Sequence, residues 1–159
     1  SDAYKFKISV PDDNWQFWKP TPQFLSSLGI LAALPTADIP ISVLSKQPVK
    51  MYRPLVIVTV EDIGSFTSIS ELVSYTKDIL MAQGWQISAE DVHIYENTNS
   101  GILIGDQPYF RGNLVQVQKI YLREGRSYYI AANYVPISED SIALFGGLQE
   151  IMNSFQFIT

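Results

Sequence analysis

The sequence predicts an α+β domain in which antiparallel strands and two helices share one core, and three observations carry that prediction. Ile102 to Phe110, Leu114 to Arg123 and Ser127 to Val135 read as strands joined by Arg111-Gly112-Asn113 and Glu124-Gly125-Arg126, short glycine-bearing turns that imply a meander. Apolar residues recur at helical spacing after Ser68 and again after Ser138. A chain of 159 residues, 47% hydrophobic and 17% charged, has the size and composition of one globular domain with a real core. A single domain over residues 1–159 is therefore expected.

From the start of the chain, Phe6, Ile8 and Val10 alternate with Lys5, Lys7 and Ser9, so Tyr4 to Val10 reads as a strand with one face on the core. Pro11 ends it, because proline has no N–H for the ladder. Trp15 to Ala37 reads as an irregular excursion with Pro20, Pro22 and Pro35 and a short turn of helix around Phe24 to Leu28, packed on the core by Trp15, Phe17, Trp18 and Phe24. Ile39 to Lys46 is a weak strand. Leu55 to Val60, "LVIVTV", is apolar on both faces and predicts a central strand covered from both sides.

Ser68-Ile69-Ser70-Glu71 has the spacing of a capping box, with Ser68 capping the helix backbone and Glu71 reaching back to Ser68. The helix that follows carries Ile69, Leu72, Val73, Thr76, Ile79, Leu80 and Gln83 at helical spacing, and Gly84 supplies its stop. Val92 to Tyr95 is a further strand. In Leu114 to Arg123, Val115 and Val117 share one parity while Ile120 and Leu122 share the other; either a bulge near Gln118 and Lys119 intervenes or both faces are partly covered. A second helix opens at Ser138, with Glu139 and Asp140 at the positive end of its dipole and Ile142, Phe145, Leu148 or Gln149 and Met152 at helical spacing. Gly146-Gly147 inside it costs ~1 kcal/mol per glycine against alanine, which close packing on the sheet would offset. Phe155 to Ile158 reads as a short closing strand or an extended tail.

Eleven Lys plus Arg against sixteen Asp plus Glu give a formal charge of -5, and the basic residues are scattered. Nucleic acid is disfavoured as a partner, since phosphate binding needs concentrated positive charge. No apolar run approaches the roughly 18 residues of a membrane span, so membrane association is expected only through an N-terminal tether outside this chain. Cysteine is absent, which removes disulfides, thiolate nucleophiles and thiolate zinc sites.

"GDQPYFRGNLVQVQKIYLREGRSYYIAANY", Gly105 to Tyr134, with the helix and "MNSF" at Met152 to Phe155 after it and the early Pro11 and Trp15 before it, resembles the PsbP-like superfamily. That group holds the photosystem II protein PsbP, the nuclear-transport factor Mog and bacterial lipoproteins of the DcrB and LpqN kind. The resemblance implies an α/β/α sandwich, a central mainly antiparallel sheet with helices on both faces, in which Pro11 and Trp15 close one end of the sheet. It also implies an extracytoplasmic setting in a bacterial envelope. The stretch Thr36 to Pro54 does not align, and nothing matches the acidic Ran-binding surface or the photosystem-docking region, so neither specific function carries over.

Chemistry is sparse. His93, the only histidine, lies among Glu90, Asp91 and Glu96; alone and without cysteine it makes a poor metal set. Asp12-Asp13-Asn14 and Glu61-Asp62 sit where strands end, and without the calcium-loop spacing they read as turns. No Gly-x-Ser-x-Gly occurs, and Gly101, Gly105 and the Gly146-Gly147 pair form neither a phosphate loop nor a dinucleotide fingerprint, so no cofactor is expected. Aromatic content is 13%, with three Trp, nine Tyr and eight Phe. The residues expected to bind a partner are Trp15, Phe17, Trp18, Tyr128 and Tyr129, around a groove between the Trp15 to Phe24 excursion and the meander. The expectation is a non-catalytic binding or assembly domain. Its rivals are a hydrolase using Glu61, Asp62 or Glu96 in a cleft, and a small-molecule or lipid carrier with an apolar cavity.

Overall fold

Leu55–Asp62 (β4) takes the interior place its composition asks for: every residue from Leu55 to Val60 is buried. In this computed structural model, which describes residues 1–19, 21, 38–47, 53–62, 66–109, 112–136 and 139–159 (side chains of 109 and 139–142 excepted), β4 pairs antiparallel with Asp38–Ser45 (β3) and Arg126–Tyr134 (β8). The remaining strands of that sheet are Trp15–Trp18 (β2), Val92–Tyr95 (β5), Ser100–Tyr109 (β6) and Gly112–Arg123 (β7). Their order is β2-β3-β4-β8-β7-β6-β5, and every pairing is antiparallel. Phe6–Lys7 (β1) and Gln156–Phe157 (β9) form a separate two-stranded ladder.

The helix Ile69–Ala82 (α1) covers one face and Glu139–Asn153 (α2) the other. Strand alternation divides the core accordingly. Leu55 and Ile57 join Ile69, Leu72, Val73 and Leu80 beneath α1, while Val56, Val58 and Val60 join Leu148, Ile151 and Met152 beneath α2. The α/β/α sandwich is thus the observed architecture. Neither helix is long and apolar enough to cross a membrane.

Local signals held where they depended on neighbours in sequence. Ser68 Oγ accepts from the Glu71 N–H at 3.2 Å, and Gly84 stops α1 with a φ of +94°. The reciprocal half differs: Glu71 Oε2 accepts from Thr67 N–H and Oγ1, one residue upstream of Ser68. The meander forms with continuous register through Gln118 and Lys119, so there is no bulge; β7 is covered on both faces instead. Leu114 and Ile120 face α1, and Val117 and Tyr121 face α2.

Two assignments are corrected. The first strand pairs only over Phe6–Lys7; Ile8 and Val10 still turn to the core, and Ser154 Oγ, bonded to the N–H and carbonyl of Ser9, takes over from the ladder. The excursion begins as an edge strand: Trp15 pairs with Ser45 and Trp18 with Ser42, because four residues rich in strand-favouring aromatics precede the first proline. The expected helical turn at Phe24 to Leu28 and the helix opening at Ser138 lie outside the described residues.

Candidate functional site

Pro11 frees the chain from the first ladder, and the next residues turn it back onto the sheet. Asp12 Oδ1 accepts from the Asn14 N–H at 2.8 Å, closing an Asx turn, and the Lys46 N–H donates to the Asn14 carbonyl at 2.7 Å, tying that turn to the end of β3. Gln47 is set beside it by two bonds with Ser45, whose hydroxyl donates to the Gln47 carbonyl and accepts from its N–H. Trp15 then folds its ring under α2, with only 5% of the residue exposed.

The opposite wall is α2. Ala143, Gly146, Gly147 and Glu150 fall at helical spacing on one side of it, with Leu144 at their edge. A Cβ at Gly147 would stand 2.7 Å from Trp15 Cζ2 and 2.9 Å from Nε1, closer than atoms pack, whereas one at Gly146 would meet nothing within 4 Å. Gly147 is therefore the place where helix and indole touch, and Gly146 leaves space open. Between the turn and the helix lies a groove of about 600 Å³. Its wall carries the carboxylates of Asp12 and Glu150 and the amides of Asn14 and Gln47, with no Lys or Arg among the described residues.

The five aromatics singled out in the sequence part company. Phe17 is 49% exposed, on the same sheet face as Trp15. Trp18 is half-buried on the other face, against the core under α1. Trp15, Tyr128 and Tyr129 are buried. Tyr128 and Tyr129 do point to opposite faces, but β8 has strands on both sides and a helix layer above and below, so both rings fill core and neither presents a surface. The groove's second wall is α2 and not the meander. Gln47, Leu144, Gly146, Gly147 and Glu150 were missed as site residues; the available signal was the glycine pair, which needs a bulky partner to justify it.

The rival sites do not assemble. His93 is exposed on the edge strand β5, opposite Ile102, and no group of three His, Asp or Glu side chains among the described residues could hold a metal ion. Glu96 accepts from Ser70 Oγ at 3.0 Å beside α1, and three strands separate β5 from β4, which carries Glu61 and Asp62. A smaller concavity of about 370 Å³ is lined by Tyr4, Asp38, Val60, Glu61 and Asp62. There Asp62 pairs with Arg126 Nε at 2.8 Å, and Asp38 accepts from the Tyr4 hydroxyl, a bond that with partial burial raises the Tyr4 phenol above its ordinary value. Asp38 thus fastens the N-terminal segment to the sheet, and Asp62 ties β4 to its neighbour β8.

No protein-family profile matches the chain, and no curated protein sequence matches it either. Solved structures do. LpqN of Mycobacterium tuberculosis, involved in cell envelope biogenesis, matches with a TM-score of 0.62 at 12% identity, over 97% of this chain and 83% of its own. Cyanobacterial PsbP (CyanoP) from Synechocystis sp. PCC 6803 matches with a TM-score of 0.56 at 8% identity, over 99% of this chain and 89% of its own. With the sheet order and the two flanking helices, these likenesses give this chain the PsbP-like fold.

Proposed function

We propose that this chain is a non-catalytic binding or assembly domain of a bacterial envelope protein, held outside the cytoplasm by an N-terminal tether and docking a protein partner along β2 and the adjoining groove. The observation that carries the reading is the groove of about 600 Å³ between the Asp12 to Trp15 turn and α2, with the exposed Phe17 two residues along β2 from Trp15 and on the same sheet face. Rigid aromatics at the margin of a concave surface contribute large contact area with little lost side-chain freedom. The likeness in fold to LpqN, a protein of cell envelope biogenesis, supports the setting. Carboxylates and amides in the groove wall suit a polar partner better than the apolar cargo of a carrier.

The test compares Phe17→Ala and His93→Ala, both exposed and both expected to fold as wild type, for recovery of partners from envelope extracts of the source cells. Loss of a partner with Phe17→Ala and its retention with His93→Ala is the expected result. The reverse pattern would move the docking surface to β5 and overturn the proposal.

A further inference from the structure

We propose that the groove receives a Lys or Arg side chain from an extended segment of the partner, whose backbone carbonyl accepts the Trp15 indole N–H. This rests on the binding-domain reading above and names its chemistry. Two independent features of the groove converge on it.

The first is charge. Asp12 and Glu150 face the groove from opposite walls, no basic side chain among the described residues lines it, and the whole chain carries a formal charge of -5. An anionic ligand is repelled and a cationic one is steered in. The second is a donor without an acceptor among the described residues. Trp15 is 5% exposed, and no described group accepts from its Nε1, which is not among the fully enclosed polar atoms and so stays open to the groove. The edge bearing Nε1 lies against Gly147, which itself lines the groove, so the donor is presented where a ligand enters.

The ligand must therefore bring an acceptor for Nε1 and a cation for the carboxylates within one small unit. A basic residue in an extended peptide does both, since its carbonyl and its charged tip lie roughly 7 Å apart. Asn14 and Gln47 add donors and acceptors for the neighbouring peptide groups. A saccharide would stack on an open ring face, and the faces of Trp15 are buried.

The experiment follows the indole N–H resonances by ¹⁵N NMR, assigning Trp15 by substitution, during titration with acetyl-Gly-Arg-Gly-amide, its citrulline isostere and glucose. The Trp15 signal is expected to shift saturably with the arginine peptide and at least roughly fivefold more weakly with the neutral citrulline peptide, the discrimination two exposed carboxylates supply. Asp12→Asn with Glu150→Gln should erase that discrimination. Gly146→Leu, which projects into open space from a helix that prefers leucine to glycine, should stay folded and abolish binding. Equal response to both peptides, a response to glucose alone, no response to any probe, or persistence in Gly146→Leu would each overturn the inference. If Phe17→Ala still loses the envelope partner in those cases, docking along β2 stands and only the groove chemistry fails.

Discussion

α1 and α2 lie on opposite faces of one sheet and are built by different rules. α1 is glycine-free, is capped at Ser68, and buries Ile69, Leu72, Val73, Thr76 and Leu80 in a continuous stripe. α2 carries Gly146-Gly147 near its middle, gives up helix propensity there, and meets Trp15 through a bare backbone. The first helix completes a core. The second also completes one, through Leu148, Ile151 and Met152, yet stands off the Asp12 to Trp15 turn far enough to leave a groove. The difference teaches that helix-breaking residues inside a helix mark where a protein has given up local stability for a particular contact.

That contrast can be tested in order of effect. Leu72→Ala under α1 and Leu148→Ala under α2, both 0% exposed, should each cost about 2–5 kcal/mol, because both helices bury a true core face. Urea unfolding measures it; a loss below about 1 kcal/mol at either site would mean that helix is only loosely attached. Ser68→Ala should cost about 1 kcal/mol, since the hydroxyl accepts the Glu71 N–H, and an unchanged melting midpoint would remove the cap from the account.

The smallest effect near neutrality is electrostatic and grows with pH. Burial raises the phenol of Tyr129 under α1 and those of Tyr121 and Tyr134 under α2, so the folded state holds these protons longer than the unfolded chain. Their contribution is fully present below the unfolded value near 10 and is lost as pH rises through the folded values. The Tyr4 phenol, raised by its bond to Asp38, acts in the same sense, while burial lowers the Lys119 ammonium, which acts in the opposite direction, one group against four. Urea midpoints should fall between about pH 9 and pH 11. A midpoint that holds or rises across that interval would contradict the burial of these rings.

Much of the fold was legible because its causes are local. Six successive buried residues specify β4, the turn at Glu124-Gly125 joins β7 to β8, whereas Gly112 and Asn113, expected in the other turn, are already paired in β7, and Ser68 with Gly84 brackets α1. β2 was not legible as a strand, since its ladder depends on β3 beyond a proline-bearing stretch. The groove was half legible. The sequence marked Trp15 as structural and the glycine pair as tightly packed, which holds for Gly147 and fails for Gly146; the meeting of Gly147 and Trp15 joins opposite ends of the chain, and no local pattern encodes which indole a bare helix face awaits. For the same reason Tyr128 and Tyr129 looked like surface: alternation sends them to opposite faces, and only the two helix layers show that both faces are covered.

The most direct test of how the site is built is the thermal midpoint of two neighbouring variants, Gly146→Ala and Gly147→Ala. Both should gain helix propensity, worth about 0.5–1 kcal/mol. At residue 147 the new methyl meets the Trp15 ring at 2.7 Å, and overpacking of that kind costs about 1–3 kcal/mol. The predicted result is a midpoint above wild type for Gly146→Ala and below it for Gly147→Ala. Midpoints that move in the same direction would show that α2 does not rest on Trp15 through Gly147, and the groove as described would not exist.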